Sequence, residues 1–513
     1  MNRFRGTQAD RTLDALRGFF RDGTGSPSAG EEAARTASAE ARVLGLFREV
    51  ARDVPAYRQF LASHGIDPAS IGDMQAFRAL PATTKDNYYR LHALPELCRQ
   101  GQLDACDMLA LSTGSTGEPA VWPRFVTDEL DTAARFEQVL RDGFAAGERR
   151  TLAVICFALG NWVGGLYTLA CCRQLAAKGY PLTVVAPGNQ PLEILRALRA
   201  LGAHFDQRVL FGYPPFLKDV IDLGQAQGID WSAPPTRLVM AGEVFSEEWR
   251  DWVCQRLGAQ VPARATASLY GTADGGVLAN ETPLSIRIRR ALARRPDAAR
   301  ALFGEARLPT LCQYDPEHRY FELERAAGET SGWLLFTGDG GAPLVRYKIL
   351  DRGGLVGHGE MLAFLERHGV ALEPDIAGTD VGGTEPVLPF VYVFGRSHFA
   401  LSFYGANVYP ENVSVGLEQP EFAAALTGKF VLELTEDAAH DAELLLTVEL
   451  ARAAPGDEGL AQRIAASVRR ELERLNSEFA NYAPSERRTP RVALRALGDA
   501  EYFPIGVKHR YTR

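Results

Sequence analysis

Residues Ser112-Thr113-Gly114-Ser115-Thr116-Gly117, closed by Glu118-Pro119, put four hydroxyl side chains and two glycines into six positions. Glycine lets backbone approach a ligand closely and adopt positive φ, so successive N–H groups can turn toward one anion. The hydroxyls add donors, which completes the inventory a polyphosphate needs. No G-K-[ST] follows, so this is not a Walker loop. Taken alone, such a loop is as readily an ordinary Ser/Gly turn. A second stretch, Ala158-Leu159-Gly160-Asn161-Trp162-Val163-Gly164-Gly165-Leu166, interleaves glycines with one large aromatic. A planar substrate could lie against backbone at Gly165 with Trp162 as one wall; the alternative is a strand-to-helix turn with Trp162 in the core.

Elements must hold these stretches in place. The apolar run Met108-Leu109-Ala110-Leu111 reads as a short buried strand leading into the hydroxyl loop. A helix over 128–144 and a buried strand over 151–157 precede an alternation of strands and helices over 181–186, 192–201, 208–211, 216–224, 237–241 and 247–257. That rhythm predicts a largely parallel sheet with helices on both faces, and ligands bind at the carboxyl ends of such strands. Residues 1–22 carry Leu13, Leu16, Phe19 and Phe20 at helical spacing, a docking helix, and 39–63 reads as helical. Residues 23–41, rich in Ala, Gly, Ser and Glu, read as a mobile linker. The Arg- and Ala-rich stretch 284–307 reads as a solvated helix, lacking the aromatics of a nucleic-acid patch. Residues 320–323 and 333–337 alternate like antiparallel strands, whereas 352–394 show little periodicity and look like an insertion. The C-terminal part reads as three strands, a helix and a strand, with Ile464, Val468, Leu472, Leu475 and Phe479 on one helix face.

The hydroxyl loop resembles the phosphate-binding loop of the adenylate-forming superfamily, which includes acyl-CoA synthetases, adenylation domains and firefly luciferase. Within it the chain looks most like phenylacetate–CoA ligase and its relatives. Pro55-Ala56-Tyr57-Arg58 and Leu80-Pro81-Ala82-Thr83-Thr84-Lys85-Asp86 resemble that family's approach to the loop. Phe211-Gly212-Tyr213-Pro214 resembles a pocket-lining turn, and Ala241-Gly242-Glu243-Val244-Phe245-Ser246 the segment beside adenine. Ser268-Leu269-Tyr270-Gly271-Thr272-Ala273-Asp274 resembles Y-G-x-[ST]-E, with departures at Ala273 and Asp274. Ala342-Pro343-Leu344-Val345-Arg346-Tyr347-Lys348-Ile349-Leu350-Asp351 resembles P-L-[IV]-R-Y-R-x-x-D, while Thr337-Gly338-Asp339 offers a competing register. Gly395-Arg396-Ser397 matches the family's hinge, but His398, Phe399 and Tyr404 replace its two acids and later arginine. Tyr502-Phe503-Pro504-Ile505-Gly506-Val507-Lys508 stands where the family keeps its catalytic lysine.

The resemblance implies an α/β fold: a large N-terminal domain of α/β sheet subdomains plus a small mobile α+β C-terminal domain. The expected division is an N-terminal helix and linker over 1–41, the large domain over 42–395 and a lid over 396–513. It implies ATP-dependent activation of a small-molecule carboxylic acid as an acyl-adenylate, then transfer to CoA. Lys508 and Thr116 are the expected catalytic residues, with Ser112 to Gly117 on the phosphates. Gly242, Glu243, Tyr270, Gly271, Thr272, Asp351 and Arg396 are expected to bind the nucleotide, Asp351 through both ribose hydroxyls. Trp162, Gly165, Phe211 and Tyr213 would line the acyl pocket, and Asp274 would ligate Mg²⁺. Two rivals stay open: an adenylate-forming enzyme with an amine or carrier-protein acceptor, and a non-catalytic nucleotide-binding homologue.

Bulk properties bound the rest. At 513 residues and 46% hydrophobic, the chain can bury two to four packing units. A net charge of −8 with mixed signs argues against a nucleic-acid partner. Seven cysteines without a CxxC pair suggest reduced thiols, and neither a secretory leader nor a membrane span is expected, which points to the cytoplasm.

Overall fold

A computed structural model describes residues 3–21, 32–111, 120–160, 163–305, 307–374, 386–396, 401–404, 406–436, 442–452, 454–476, 479–480, 483–504, 509 and 511–512. In its central strands alternate side chains serve opposite faces, and both faces are apolar. Ala153, Ile155, Val209, Phe211 and Val239 join one buried cluster, whereas Leu152, Val154, Leu210, Leu238 and Met240 join another. Strands apolar on both faces need helices on both, which is the parallel α/β arrangement.

The chain opens with α1 (Arg3–Arg21), α2 (Glu32–Asp53), α3 (Pro55–Ser63) and α4 (Met74–Arg78). A hairpin of β1 (Met108–Leu111) and β2 (Val121–Arg124) leads into α5 (Val126–Gln138). The repeating section runs β3 (Thr151–Ile155), α6 (Val163–Lys178), β4 (Leu182–Val185), α7 (Pro191–Leu201), β5 (Gln207–Gly212), α8 (Pro214–Ala226), β6 (Thr236–Ala241), α9 (Glu247–Arg256) and β7 (Thr266–Thr272). Then come β8 (Gly276–Asn280), α10 (Pro283–Ala293), α11 (Pro296–Phe303) and β9 (Thr310–Gln313). They are followed by β10 (Tyr320–Glu324), β11 (Gly332–Gly338), β12 (Leu344–Val356), α12 (His358–Arg367) and β13 (Phe390–Arg396).

Among the described residues these strands form an eleven-stranded sheet in the order β10-β11-β12-β13-β9-β8-β7-β6-β5-β3-β4. From β7 to β4 the neighbours are parallel; from β7 to β10 they are antiparallel. β3 is flanked by β4 on one side and by β5 on the other, so the chain reverses its travel across the sheet there. The loops leaving β3 and β5 diverge and open a crevice at their carboxyl ends.

The C-terminal unit has its own core. It comprises β14 (Leu401–Phe403), β15 (Ala406–Val408), α13 (Pro410–Leu417), β16 (Leu426–Glu436), β17 (Ala442–Leu450), α14 (Glu458–Leu475) and β18 (Arg491–Arg495). Ile464, Val468 and Leu472 of α14 face Val413, Phe430 and Leu446, and Phe479 joins them past the helix end. Gly416 permits the closest approach of α13 to α14, since a Cβ there would fall 2.6 Å from the Val468 Cα.

Four expectations change. Helix α2 begins at Glu32, inside the stretch read as a linker, and its Ala39 and Val43 are buried. In α1, Phe19 is buried and Leu16 packs against the core, but Leu13 and Phe20 are exposed. Helix α10 is a core helix: Leu284, Ile288, Ala291 and Leu292 form an apolar stripe that the arginine count concealed. Within 352–394, read as an insertion of little periodicity, the described residues form regular elements: β12 runs to Val356, α12 buries Met361, Phe364 and Leu365, and β13 starts at Phe390 and crosses the sheet. No helix among the described residues is long and apolar enough to cross a membrane.

Candidate functional site

Strand register assembles the site. Gly212 pairs with Met240, and Ala241 with Leu269, so Tyr213, Gly242 and Tyr270 follow one another along the carboxyl edge of β5, β6 and β7. Across the crevice between β3 and β5, the Phe157 and Tyr213 rings meet edge to face at 4.9 Å. Tyr213 also covers Gly242, where φ is +82° and a Cβ would fall 2.8 Å from the tyrosine ring. Burial, then the nearby Glu243 carboxylate, pushes the Tyr213 hydroxyl up to about 12, so it stays a neutral donor. Gly164, not Gly165, borders this crevice: its Cβ position lies 3.7 Å from Phe157 and 3.8 Å from the Tyr213 hydroxyl.

Two expected pocket residues serve packing instead. A Cβ on Gly165 would collide with the Ala158 carbonyl, so this glycine lets α6 start tight against the end of the β3 loop. Phe211 is fully buried and packs 5.8 Å from Phe136 in the helix-covered core.

The nucleotide side is built on β7 and β12. The Tyr270 hydroxyl donates to Asp351 Oδ2 at 2.8 Å, and its ring stacks near Phe321 at 6.4 Å. Asp351 pairs in register with Arg396 of β13, which brings the backbone of the hinge residue beside that carboxylate. β12 reaches this position by bulging: Leu335 and Trp333 of β11 oppose Lys348 and Arg352, and Phe336 and Gly338 oppose Tyr347 and Leu344. Arg346 and Leu350, neither a glycine, lie in those bulges at φ +46° and +68°. Bulges re-aim side chains at the cost of local strain, and here they turn Tyr347 and Asp351 toward the site. Asp339, the competing ribose acid, is already held by Arg99 at 2.6 Å and Arg11 at 2.8 Å.

Gly271 and Thr272 are consumed by the hairpin between β7 and β8. A Cβ on Gly271 would approach the Gly276 carbonyl to 2.9 Å, and Thr272 Oγ1 accepts the Gly275 N–H at 3.0 Å. Asp274 is buried; Tyr347 donates to its Oδ2 at 2.7 Å and the Lys85 ammonium stands 3.2 Å from its Oδ1. With a tyrosine on one oxygen and an ammonium on the other, Asp274 does not fit direct Mg²⁺ ligation in this arrangement.

Lys85 arrives through Thr83, which exchanges backbone hydrogen bonds with Arg346 and Lys348 of β12. The Lys85 ammonium also lies 5.4 Å from the Trp122 ring centroid. In β2, Arg124 binds the carbonyls of Ala273 and Asp274 and pairs with Asp128 at 3.3 Å. Leu111 pairs with Val121, so the hairpin brings the two ends of the hydroxyl loop together. Ser112, Thr113, Gly114, Ser115, Thr116 and Gly117, with Trp162, Lys508 and the Arg396 side chain, lie outside the described residues.

The C-terminal unit meets this edge directly. Tyr511 donates to Glu243 Oε2 at 2.6 Å, and Glu418 Oε2 accepts the Ser246 N–H at 3.1 Å. Lys429 reaches Asp219 at 2.6 Å and Arg307 reaches Glu411 at 3.4 Å. Lys85, Tyr347, Glu418 and Tyr511 had no role in the sequence reading. Lys85 and Tyr347 were in view within quoted motifs; Glu418 and Tyr511 left no local signal, because their partners lie far along the chain.

No family model and no curated protein matches this chain. Among solved structures, a 2-hydroxyisobutyryl-CoA ligase in the postadenylation state with R3-HIB-AMP is similar over 95% of this chain and 90% of its own, at 15% identity and a TM-score of 0.67. That ligase with 2-HIB-AMP and CoA in the thioesterification state matches over 95% and 90%, at 14% identity and a TM-score of 0.52. Its open conformation with 2-HIB-AMP and CoA matches over 95% and 93%, at 14% identity and a TM-score of 0.53. At these identities the likeness is one of fold.

Proposed function

We propose that this chain, built on the fold of the adenylate-forming ligases, activates a carboxylic acid with ATP and passes the acyl group to CoA. The observation that carries the reading is the row of Tyr213, Gly242 and Tyr270 along one carboxyl edge, with Asp351 of β12 hydrogen-bonded to Tyr270, beside the crevice where the sheet reverses. In the first step a carboxylate oxygen bonds to the α-phosphorus, the bond to the bridging oxygen breaks, and pyrophosphate leaves. Two anions must meet, so the protein's task is neutralisation and positioning. Residues 112–117, Thr116 among them, would hold the phosphates, and Lys508 would contact the carboxylate and α-phosphate. Asp351, oriented by Tyr270, would accept the ribose hydroxyls, with the backbone at Gly242 and Glu243 beside adenine. The Lys85 ammonium supplies fixed positive charge near Asp274, and no step is routed through a metal.

Phe157, Tyr213 and Gly164 give the crevice aromatic and backbone walls, which suit an aromatic or medium-sized apolar acid. One observation favours keeping a second acceptor in view. Phe403, in the hinge-following run that would line a pantetheine channel, is fully buried against Phe479 in the C-terminal core.

The test supplies ATP, Mg²⁺ and a panel of acids, and measures pyrophosphate, then offers CoA and amines and weighs the products. Acid-dependent pyrophosphate release with acyl-CoA as product supports the full reading. Adenylate without acyl-CoA moves the acceptor to an amine or carrier-protein thiol. Nucleotide binding without acid-dependent pyrophosphate leaves a non-catalytic homologue.

A further inference from the structure

The loop over residues 242–246 touches the nucleotide side of the site on one flank and the C-terminal unit on the other. Two hydrogen bonds cross that second flank. Tyr511 Oη donates to the Glu243 carboxylate at 2.6 Å, and the Ser246 N–H donates to Glu418 at 3.1 Å. Ser246 is simultaneously the N-cap of α9, its Oγ accepting the Trp249 N–H at 3.0 Å, so its backbone cannot drift to follow the partner. The loop is therefore a fixed post, and the C-terminal unit is the part that docks on it.

Tyr511 is equally well fixed within its own unit. Its carbonyl accepts the Leu432 N–H at 2.8 Å, and Thr512 makes an isolated parallel bridge to Leu432. The ring packs 4.9 Å from Phe430 and 4.5 Å from His509. His509 Nε2 donates to the Phe430 carbonyl at 2.6 Å; burial holds its pKa at about 4, so the ring is neutral and donates from one nitrogen only. The final residues thus extend the β16 edge as a strap, and the strap ends on the nucleotide loop.

We propose that Tyr511 and Glu418 are positioning residues: together they clasp the loop over 242–246 and hold the C-terminal tail in place for the first half-reaction. The inference rests on the adenylation reading, because the tail also carries Lys508, three residues before Tyr511. A charge-assisted bond from a neutral phenol to a carboxylate orients without adding net charge near the reacting phosphate. Because the two bonds join residues on different units, a turn of the C-terminal unit relative to the sheet would break both. Tyr511 itself touches neither nucleotide nor acid in this account.

The test uses the full chain with Tyr511→Phe, which keeps the ring packing and deletes only the hydroxyl. Adenylation is followed as single-turnover pyrophosphate release, and acyl transfer is followed separately from synthetic acyl-adenylate and acceptor. Amide hydrogen exchange is measured over 242–246 and 509–512. The expected result is adenylation slowed roughly tenfold, KM for ATP nearly unchanged, acyl transfer unchanged or faster, and faster exchange in the loop. Equal loss in both half-reactions, or wild-type rates in both, overturns the proposal. If the wild-type protein itself shows no acid-dependent pyrophosphate release, the functional reading fails and exchange decides the clasp alone: unaltered loop protection in Tyr511→Phe then overturns it.

Discussion

Asp351 and Asp339 show how two carboxylates in one sheet acquire different tasks. Asp339 is neutralised by Arg99 and Arg11, so its charge is spent on tying the N-terminal segments to the sheet. Asp351 accepts one hydrogen bond from Tyr270 on the edge where the nucleotide is proposed to lie. Asp351→Ala is expected to weaken ATP binding by about 2–3 kcal/mol, the worth of two hydroxyl hydrogen bonds to a carboxylate. Asp339→Ala is expected to lower stability and leave ATP affinity nearly intact. Nucleotide titration and thermal unfolding of both variants check this, and the reverse ranking would move the ribose to Asp339. Both acids were readable as candidates from their motifs. That Asp339 is engaged by Arg11 and Arg99, hundreds of residues away in the chain, could not be read from its motif.

At the scale of elements, α9 and α10 are joined by a buried ionic network. Arg250, completely buried, bonds Glu247 at 2.9 Å, Glu281 at 2.7 Å and Thr266 at 2.7 Å, while Arg289 also pairs with Glu247. Two carboxylates face the arginines, so removing one guanidinium leaves buried negative charge uncompensated. Arg250→Ala is expected to cost roughly 3–5 kcal/mol of stability in denaturant unfolding, and Arg250→Met with Glu281→Gln to recover part of it. The sequence showed α10 only as an arginine-rich stretch, because a charge count cannot reveal that Arg289 hydrogen-bonds the Pro309 and Phe245 carbonyls inside the protein. Strand β3 and the strands and helices from β4 to α9 were legible nearly to their ends, since period-two and period-3.6 hydrophobicity are local properties, whereas α6 (Val163–Lys178) was not read.

At the scale of the whole molecule, Glu418 makes the junction of the two units sensitive to pH. Burial, with help from Glu248 and against the Ser246 N–H and Arg289, raises its carboxyl from the ordinary 4.5 to about 7. A raised folded value means that the folded protein binds the proton more tightly. The stability this contributes is full below about 4.5 and is lost as pH rises through about 7. Melting temperatures of wild type relative to Glu418→Gln should therefore fall across that window and level off above it; a flat difference would refute the assignment. For the proposed chemistry, Lys508→Ala should nearly abolish single-turnover adenylation while ATP affinity persists, since its charge is needed as negative charge builds at the α-phosphate. Wild-type adenylation by that variant would remove Lys508 from the mechanism.

The order of amino acids was enough to identify the α/β core and the glycine-rich turns at strand ends, and to nominate residues for a nucleotide site. Those features follow from side-chain period, backbone permissiveness and functional-group chemistry over a few neighbouring residues. Other outcomes required the folded chain. Gly165 and Gly271 proved to be packing glycines because the backbone that crowds them comes from Ala158 and Gly276. Asp274 was set beside Lys85, and Glu243 beside Tyr511, by β12 bulges and by the docking of a separate unit. The Asp274–Lys85 and Glu243–Tyr511 pairings join residues far apart in the chain, and no local pattern encodes a distance of that kind.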